Sequence, residues 1–333
     1  MLIKTLDPVD EPADLAALLP VFRTYYAEVA PSFPAFGPSR LRFWASAAPS
    51  VRAKVYGAFA DEASREALGA VFTASDLDAN LDLVNNSLIV PLAGHTSGVA
   101  ELLLDQVRRL AVSEGRDRVL LETPSSADAS APLTSFGGRK VHTSTRSVVD
   151  LAGIDRAQYA GWAAPSEKNS DYRLVRWVDH CPDEFAESYC EAQRAMEDAP
   201  LEDLAFEHNK PGIERLRAQE KHSCDFGLRR MVQAAVDAHG RVVGLHMLVA
   251  YPGEPETVDV WDTCVVREHR GHGLGLRIKA AAALWALEQL PDARWVQTFN
   301  NHENDHMLAV NRTLGYRPAE DWYVFEFSAT PRT

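Results

Sequence analysis

The chain has 333 residues, of which 46% are hydrophobic and 24% charged, and its net charge is −13. This composition is typical of a globular protein, and the length is enough for about two domains. The acidic charge argues against a nucleic-acid partner, since phosphate binding needs a basic surface, and mildly favours cationic partners such as amines.

The four cysteines show no CxxC spacing, which argues against a disulfide framework and against a structural zinc site. Reduced thiols fit a cytoplasmic protein, which is the expected location, and no metal is expected. The N-terminus has no basic region followed by an apolar one, so no signal peptide is predicted. No apolar run is long enough to span a bilayer, so no membrane association is expected.

Periodicity and turn residues predict the elements of the first half. In chain order these are a strand LIKTL, a helix with Pro12 in its first turn, a second helix PSRLRFWASAA, strands VRAKVYGAFA, EALGAVFTA and LDLVNNSLIV, an amphipathic helix GVAELLLDQVRRLAVSEG, a strand DRVLLET, a loop-rich stretch PSSADASAPLTSFGGRK and a strand VHTSTRSVVDL.

The second half is predicted to repeat this order. Its elements are a strand YRLVRWV, helices DEFAESYCEAQRAMED and GIERLRAQEKHSC, a hairpin turning at His239-Gly240, a strand TVDVWDTCVV, a helix LGLRIKAAAALWALEQL, a strand RWVQTFN, a helix NDHMLAVNRTLG and a last strand DWYVFEF. The repetition indicates an internal duplication of about 150 to 165 residues, close to a typical domain length.

The division between the two copies is predicted from composition. A first domain is expected at residues 1–155 and a second at 171–333. Residues 156–170 contain small, polar and proline residues without a clear period, so they are predicted to be a linker.

Three glycines, Gly271, Gly273 and Gly275, alternate between a β-branched strand and a helix. Glycines at a helix N-terminus let the backbone wrap closely around an anion, where unpaired N–H groups and the helix dipole attract it. The GxxxxGK[ST] phosphate loop lacks its Lys and Ser/Thr here, and the third glycine of GxGxxG would fall on Leu276. The pattern R/Q-x-x-G-x-G/A is matched in full by RGHGLG, residues 270–275.

The sequence VVREHRGHGLG resembles the motif with which the GNAT N-acetyltransferase superfamily binds the pyrophosphate of acetyl-CoA. Downstream, NDHMLAVNRTLGY resembles the N-x-x-A-…-Y-x-x-x-G-F helix of that family, and the strand WVQTFN lies between the two motifs. The resemblance covers residues 171–327. It implies an α/β fold whose sheet is mixed, mainly antiparallel and flanked by helices.

The first half resembles the same family in degenerate form, through LIVPLAGHTSGVAELLL. The Gly98-Val99-Ala100 end of the motif is retained. His95 stands where Arg or Gln belongs, and Thr96 and Ser97 replace the first glycine and its neighbour. The resemblance therefore implies a tandem GNAT protein, with a degenerate N-terminal domain and a catalytic C-terminal domain.

The resemblance also implies how acetyl-CoA binds. The strand before the glycines splays from its neighbour and pairs with pantetheine like an added strand, and the following backbone N–H groups contact the pyrophosphate. The residues implied to bind the coenzyme are Cys264, Val265, Val266, Arg270, Gly271, His272, Gly273, Leu274, Gly275, Leu276, Asn300 and Asn304. For Asn300 and its neighbours Asn301 and His302, helix capping is the alternative and the commoner use.

Acetyl transfer to an amine needs a base, because an alkylammonium has a pKa of about 10.4. Asp262 is the candidate base, since a carboxylate in an apolar strand is costly unless it is used or paired. The alternative is a hydrogen bond to neighbouring backbone or to Thr263. Asp259 is farther from the glycines, and His246 is a weaker candidate. Asn311 occupies the position of a family tyrosine that protonates the thiolate, and an amide cannot supply that proton.

Together these features imply an acetyl-CoA-dependent N-acetyltransferase that acts on the primary amine of a small molecule by direct transfer in a ternary complex. A non-catalytic acyl-CoA-binding or sensing protein and a protein or peptide N-acetyltransferase are the alternatives. A duplicated chain resembles a dimer of single-domain enzymes, so a monomer or a homodimer is expected. The acidic run EDAPLEDLAFEHN is expected to be a solvated loop, with a lid for a cationic acceptor as the alternative.

Overall fold

The computed structural model describes residues 1–34, 36–95, 97–207 and 212–330. Thr96, one of the replaced positions of the degenerate motif, lies outside them. Two compact units form. Unit 1 comprises Met1–Ser144, Leu201–Glu207 and Glu320–Thr333, and unit 2 comprises Thr145–Pro200 and His208–Ala319. In the described part of the chain, no helix is both long and apolar enough to cross a membrane.

Unit 1 contains a mixed sheet. Its strands, in spatial order, are β1 (Leu2–Leu6), β2 (Val51–Phe59), β3 (Gly69–Asp76), β4 (Leu83–Ile89), β5 (Arg118–Pro124) and β12 (Arg317–Ser328). Neighbours are antiparallel except β4 and β5, which are parallel. The helices are α1 (Pro12–Val29), α2 (Pro38–Ala45), α3 (Leu92–His95), α4 (Val99–Ser113) and α5 (Ala127–Ser135).

Unit 2 repeats this arrangement. Strands β7 (Arg173–Val178), β8 (Arg229–Val236), β9 (Val242–Ala250) and β10 (Thr257–Val265) are antiparallel neighbours, and β10 is parallel to β11 (Trp295–Asn301). The helices are α6 (Arg156–Ala163), α7 (Asp183–Gln193), α8 (Ile213–Asp225), α9 (Leu274–Gln289) and α10 (Asp305–Thr313). The predicted α/β fold with a mixed, mainly antiparallel sheet flanked by helices is confirmed.

The last strand of each repeat lies beside a strand of the other repeat. The strand next to β5 is β12, paired from Trp322 with Pro124 to Ser328 with Arg118. The strand next to β11 is β6 (Arg139–Asp150), which ends in unit 2. The compact units therefore do not follow the chain continuously, whereas the predicted domains at 1–155 and 171–333 do.

Two stretches predicted to be irregular are helical. In the predicted linker, the Asp155 carboxylate accepts hydrogen bonds from two backbone N–H groups at the start of α6, and Tyr159 and Trp162 pack into the core of unit 2. In the stretch predicted to be loop-rich, Ser126 accepts from the Ala129 N–H at 3.2 Å and begins α5. A side-chain cap supplies the partner that the first N–H groups of a helix lack.

The main core of unit 2 lies between α9 and the sheet. Ala280, Ala282 and Trp285 of α9 pack with Met231 and Leu248 from the central strands. Small alanines let the helix approach the sheet closely, which explains the alanine-rich sequence of α9. Two charged side chains of α9 are also buried, Arg277 at 5% exposure and Lys279 at 2%.

The acidic run is largely an exposed loop: residues 199–207 contain no helix or strand, and Glu202, Asp203 and Glu207 are exposed. Leu201–Glu207 belongs to unit 1, where Asn80 forms two hydrogen bonds of 2.8 Å with the backbone of Glu207. Glu202 accepts from the Thr143 N–H, also at 2.8 Å. This exposed loop thus also forms hydrogen bonds with residues far away in the sequence. The last residues of the run, His208 and Asn209, lie outside the described residues.

Candidate functional site

Strand β10 separates from β11 partway along its length. Among the described residues, their parallel pairing covers Thr257 to Asp259 and ends at Asp259 with Gln297. On its other side β10 stays paired with β9 as far as Val265, across a register shift between Val260 and Thr263. From Thr263 to Val265, where this described ladder with β11 has ended, the edge of β10 can accept an extended ligand.

The glycine turn, residues 270–275, connects the end of β10 to α9. Gly271 and Gly273 have φ values of +84° and +73°, which L side chains rarely adopt, so both positions require glycine. Gly273 is the N-cap of α9 and, lacking a side chain, gives no side-chain cap. The first N–H groups of a 16-residue helix are therefore available to an anion.

Gly275 is a glycine for a different reason. Its φ lies outside the left-handed region, and a Cβ built on it would meet no described atom within 4 Å. Neither backbone strain nor the packing of this chain excludes a side chain there. The open space beside the first turn of α9 leaves room for a ligand that approaches the backbone closely.

Residues of the predicted linker and its end position the glycine turn, and sequence reasoning missed them. The Asn169 side chain, 5% exposed, donates to the His272 carbonyl at 3.0 Å. The His272 ring donates from Nδ1 to the Lys168 carbonyl at 2.8 Å. Arg277 donates to the carbonyls of Asn169 and Tyr172 at 2.8 and 3.0 Å. A lone Asn or Lys in a polar stretch carries no signal of such contacts.

Asp198 holds two arginines beside the turn. Its carboxylate accepts from Arg267 at 2.5 Å and from Arg270 at 2.6 Å, and these contacts lower the pKa of Asp198. Arg270 also donates from Nε to the Val265 carbonyl at 2.9 Å. Asp198 belongs to the acidic run, so it serves as an arginine partner here and is not free to attract a cationic acceptor.

A cavity of about 280 Å³ opens between the separated strands. The 3-10 turn Arg194–Asp198 and the start of α10 contribute to its walls. Its lining includes six predicted coenzyme-binding residues, namely Cys264, Val265, Arg270, Gly275, Asn300 and Asn304, together with Met196, Thr263, Phe299 and Met307. The other six predicted coenzyme-binding residues are not in the lining; these are Val266, Gly271, His272, Gly273, Leu274 and Leu276. All except Leu276 lie in the chain from the end of β10 to the first residue of α9.

Asp262, the predicted base, lies at the register shift of β10. Its carboxylate accepts a hydrogen bond of 3.2 Å from Gln193 at the end of α7, and it is half-buried. It does not contribute to the cavity lining, although its neighbour Thr263 does. Cys264 donates from Sγ to the Ala192 carbonyl, and burial raises the pKa of its thiol, so this cysteine is a poor nucleophile.

The asparagines of the second motif divide into two groups. Asn304 caps α10 by accepting from the Met307 N–H at 3.2 Å, and it also lines the cavity. Asn311 is 2% exposed, and its amide donates to Asn300 Oδ1 at 2.7 Å. Asn300 thus stands between Asn311 and the cavity. The predicted catalytic position 311 is in the protein interior, with Asn300 at the surface of the cavity.

The corresponding region of unit 1 is more closed. Gly98 has a φ of +79° and begins α4 without a side-chain cap, as Gly273 does for α9. However, β4 remains paired with β5 as far as Ser87 with Glu122, close to its end at Ile89. His95 uses its ring to bond the Val90 carbonyl at 2.9 Å. Unit 1 therefore lacks the strand separation of unit 2 in its described residues.

No group of three or more His, Cys, Asp or Glu side chains that could hold a metal ion occurs within the described ranges.

Residues 189–316 match the model of the acetyltransferase (GNAT) family. The chain is similar to the structure of a tandem GNAT protein from the clavulanic acid biosynthesis pathway, with 23% identity, a TM-score of 0.81 and complete coverage of both chains. It is similar to a GCN5-related N-acetyltransferase from Sphaerobacter thermophilus, with 14% identity, a TM-score of 0.69 and coverage of 99% of this chain and 97% of that one.

A third similar structure is the glucosamine N-acetyltransferase region of a fungal multi-domain GH3 beta-N-acetylglucosaminidase. The identity is 16% and the TM-score 0.62, with coverage of 98% of this chain and 38% of that one. No curated protein matches the sequence. The chain therefore has the fold of a tandem GNAT protein, and its residues 189–316 match the GNAT acetyltransferase family.

Proposed function

We propose that unit 2 binds acetyl-CoA and transfers its acetyl group to the primary amine of a small molecule by direct transfer in a ternary complex. The observation that carries the proposal is that the end of β10 and the glycine turn both contribute residues to one cavity. The edge of β10 from Thr263 to Val265 would take the pantetheine arm, and the glycine turn with the N-terminus of α9 would take the pyrophosphate.

The coenzyme would supply an activated acyl group as a thioester, and the chain would supply the surrounding groups. Asp262, oriented by Gln193, is the proposed base that takes the proton of the incoming amine, directly or through water. Backbone N–H groups of β10 beside the cavity, from Thr263 to Val265, are the proposed donors for the carbonyl oxygen as it gains negative charge. Cys264 takes no covalent part, since its thiol is buried with a raised pKa.

The acceptor is proposed to be a small cationic amine in its neutral, reactive form. The acidic net charge of −13 favours such a partner. One of the similar structures is a glucosamine N-acetyltransferase region, which makes an amino sugar a reasonable first acceptor to assay.

Calorimetric titration with acetyl-CoA tests the binding step, and one site per chain is expected. Gly275→Glu should weaken binding at least about tenfold, or about 1.4 kcal/mol, because the carboxylate enters the open space and repels the phosphates. The substitution should not unfold the chain, since a Glu in the first turn of a helix is favourable.

Gly161→Glu is the matched control, because Gly161 lies on the exposed side of α6 in the same unit and also has open space around it. It should bind acetyl-CoA like the parent protein. Equal affinity of the Gly275→Glu variant would show that the coenzyme site is elsewhere, and two sites per chain would show that unit 1 binds as well.

Release of free thiol with a panel of amines, including glucosamine, tests the transfer step.

The buried Asn311, which cannot donate a proton at neutral pH, is the specific observation that favours a non-catalytic acyl-CoA sensor as the second function. Tight binding without thiol release for any amine would support the sensor. Thiol release with an amine, and not with water alone, would support the transferase.

A further inference from the structure

A threonine and a histidine are paired in unit 2 at the wall of the cavity between the separated strands. Thr263 of β10 lies opposite His246 of β9 in the antiparallel register, and the Thr263 hydroxyl is 2.7 Å from His246 Nδ1. His246 is 1% exposed, whereas Thr263 is half-buried and contributes to the lining of the cavity. The proposed function uses neither side chain.

The register shift in β10 is what brings the two side chains together. Across it β10 advances three positions, from Val260 to Thr263, while β9 advances two, from Leu248 to His246. Side chains alternate along a strand, so three positions would put Val260 and Thr263 on opposite faces of a regular sheet. The extra residue turns Thr263 toward His246, and irregularities of this kind are common beside active sites.

The order of residues along β10 indicates where the thiol of the coenzyme would lie. The glycine turn, proposed to take the pyrophosphate, follows the C-terminal end of β10. The pantetheine arm would run back along the strand edge from Val265 toward Thr263, and the thiol is the far end of that arm. Of the three β10 residues that line the cavity, Thr263 is the farthest from the turn in the chain. Its hydroxyl is therefore the polar side-chain group of β10 nearest the expected sulfur.

The proposed reaction needs a donor at this place. When the carbon–sulfur bond breaks, its electron pair goes to the coenzyme sulfur, which becomes a thiolate. Asn311 cannot protonate that sulfur, and its amide already donates to Asn300. A hydrogen bond to an ionised group is stronger than one between neutral groups, so a hydroxyl beside the sulfur would stabilise the thiolate as it forms.

The histidine decides which way the hydroxyl proton points. Burial, and then the charge of Lys279, hold the pKa of His246 well below its usual range, so the ring is neutral and carries one N–H. A hydroxyl has one proton and two acceptor sites. If Nδ1 carries the N–H, the ring donates to the Thr263 oxygen, and the hydroxyl proton remains free for a ligand in the cavity.

We propose that the Thr263 hydroxyl donates a hydrogen bond to the coenzyme sulfur as it becomes a thiolate, and that His246 orients this hydroxyl by donating from Nδ1 to its oxygen. This inference rests on the proposed function. The carbon–nitrogen bond forms, the carbon–sulfur bond breaks with its electron pair going to sulfur, and the amine loses one proton to the base. Thr263 and His246 keep their protons, and solvent protonates the released thiolate. Thr263 is a catalytic residue here, and His246 is a positioning residue.

The test is the ionisation of bound coenzyme A, followed by the ultraviolet absorbance of its thiolate as the pH is raised. Desulfo-coenzyme A, which lacks the thiol, provides the baseline. Thr263→Val keeps the shape of the side chain and removes the hydroxyl, so it should raise the pKa of the bound thiol by about one to two units relative to the parent protein. Thr263→Ser retains a hydroxyl and should keep the pKa of the parent.

The role of His246 has its own pair of variants. His246→Leu removes the donor to Thr263 and should raise the pKa of the bound thiol, though less than Thr263→Val does. His246→Asn offers an amide N–H in place of the ring N–H and should restore the parent value. Charged groups that also line the cavity, Asp198, Arg270 and His306, and the adjacent Asp262 act on the thiol in every variant alike. The difference from the parent protein therefore isolates the pair.

Thr73→Val is the matched control, since Thr73 is a strand threonine of unit 1, 4% exposed, whose hydroxyl donates to the Lys54 carbonyl at 3.0 Å. It should leave the thiol pKa unchanged, and desulfo-coenzyme A should bind all variants equally. Equal thiol pKa values in the parent protein and Thr263→Val would overturn the proposal, and an unchanged value in His246→Leu would overturn the role of His246. Failure of both coenzymes to bind the parent protein would instead refute the proposed function.

Discussion

Lys279 is a residue that opposes folding, because its amine is buried in the core of unit 2 without a hydrogen-bond partner among the described residues. In the unfolded chain the pKa of a lysine is 10.5, and burial lowers that of Lys279 to about 7. Between these values the unfolded chain binds more protons than the folded one, so raising the pH stabilises the fold. Below pH 7 both states are protonated and the whole cost of the buried charge remains.

Lys279→Met should therefore stabilise the protein, by up to about 4 kcal/mol at or below pH 7, with a difference that shrinks as the pH rises toward 10. The measurement is the free energy of unfolding of both proteins in denaturant at pH 7, 8.5 and 10. His246 titrates below its usual range and so outside this window. A difference that stays constant with pH would mean that Lys279 is not buried as an amine of lowered pKa.

The sequence predicted the glycines of the candidate site, but it did not predict the partners of the side chains around them. Gly271 and Gly273 were predictable because positive φ values are a local requirement that glycine meets. The partner of Asp262 was not predictable, since Gln193 is distant in the chain. Lys279 reads as an ordinary helix residue, because the alanine-rich sequence of α9 does not show which side is buried.

At the scale of elements, the site depends on contacts between α9, the glycine turn and the segment that follows α6. The predicted linker was expected to connect two domains, yet it supplies Asn169 and Lys168 to the backbone and ring of His272. The turn is thereby fixed before any ligand binds. A preformed turn avoids the entropy cost of ordering on binding.

Asn169→Ala should destabilise the protein by about 1–2 kcal/mol, because the carbonyl of His272 loses a donor. It should also weaken acetyl-CoA binding by about three- to tenfold, because the turn becomes less ordered. Chemical denaturation and calorimetric titration measure the two effects.

Asn86→Ala in unit 1 is the matched control, since Asn86 is 6% exposed and donates to the carbonyls of Val84 and Leu120. A comparable loss of stability with unchanged affinity is expected. If the Asn169 variant also kept full affinity, the segment would have only a structural role.

At the scale of the whole molecule, the strand exchange makes the end of the chain necessary for the stability of unit 1. Trp322, Phe325 and Phe327 of β12 are buried in the cores of unit 1, and Glu326 forms an ion pair of 2.8 Å with Arg118. Without β12, the hydrogen-bonding edge of β5 and the apolar surface beneath these rings would be exposed, which promotes aggregation.

A chain that ends at Ala319 should therefore lose cooperative unfolding of unit 1 and aggregate, whereas a chain that ends at Thr330 should behave like the full protein. Size-exclusion chromatography and thermal unfolding compare the two. A soluble 1–319 chain with an unchanged unfolding temperature would show that β12 contributes little to unit 1.

The sequence by itself determined the elements, the repeated order of strands and helices, the glycine turn and the family resemblance. These follow from periodicity, capping and φ requirements, which act between residues close together in the chain. It did not determine the helical nature of the predicted linker and of the stretch before β6, since each has weak periodicity and depends on one capping side chain.

Only the tertiary structure decided which strand lies beside β5, where β10 leaves β11 and what surrounds Lys279. The reason is physical, since each depends on contacts between residues far apart in the chain. A strand edge accepts any segment that offers matching hydrogen bonds, and a lysine is buried or exposed according to what packs on its helix. The contact of 2.7 Å between His246 and Thr263 joins two strands, and it exists only because the sheet aligns these two residues.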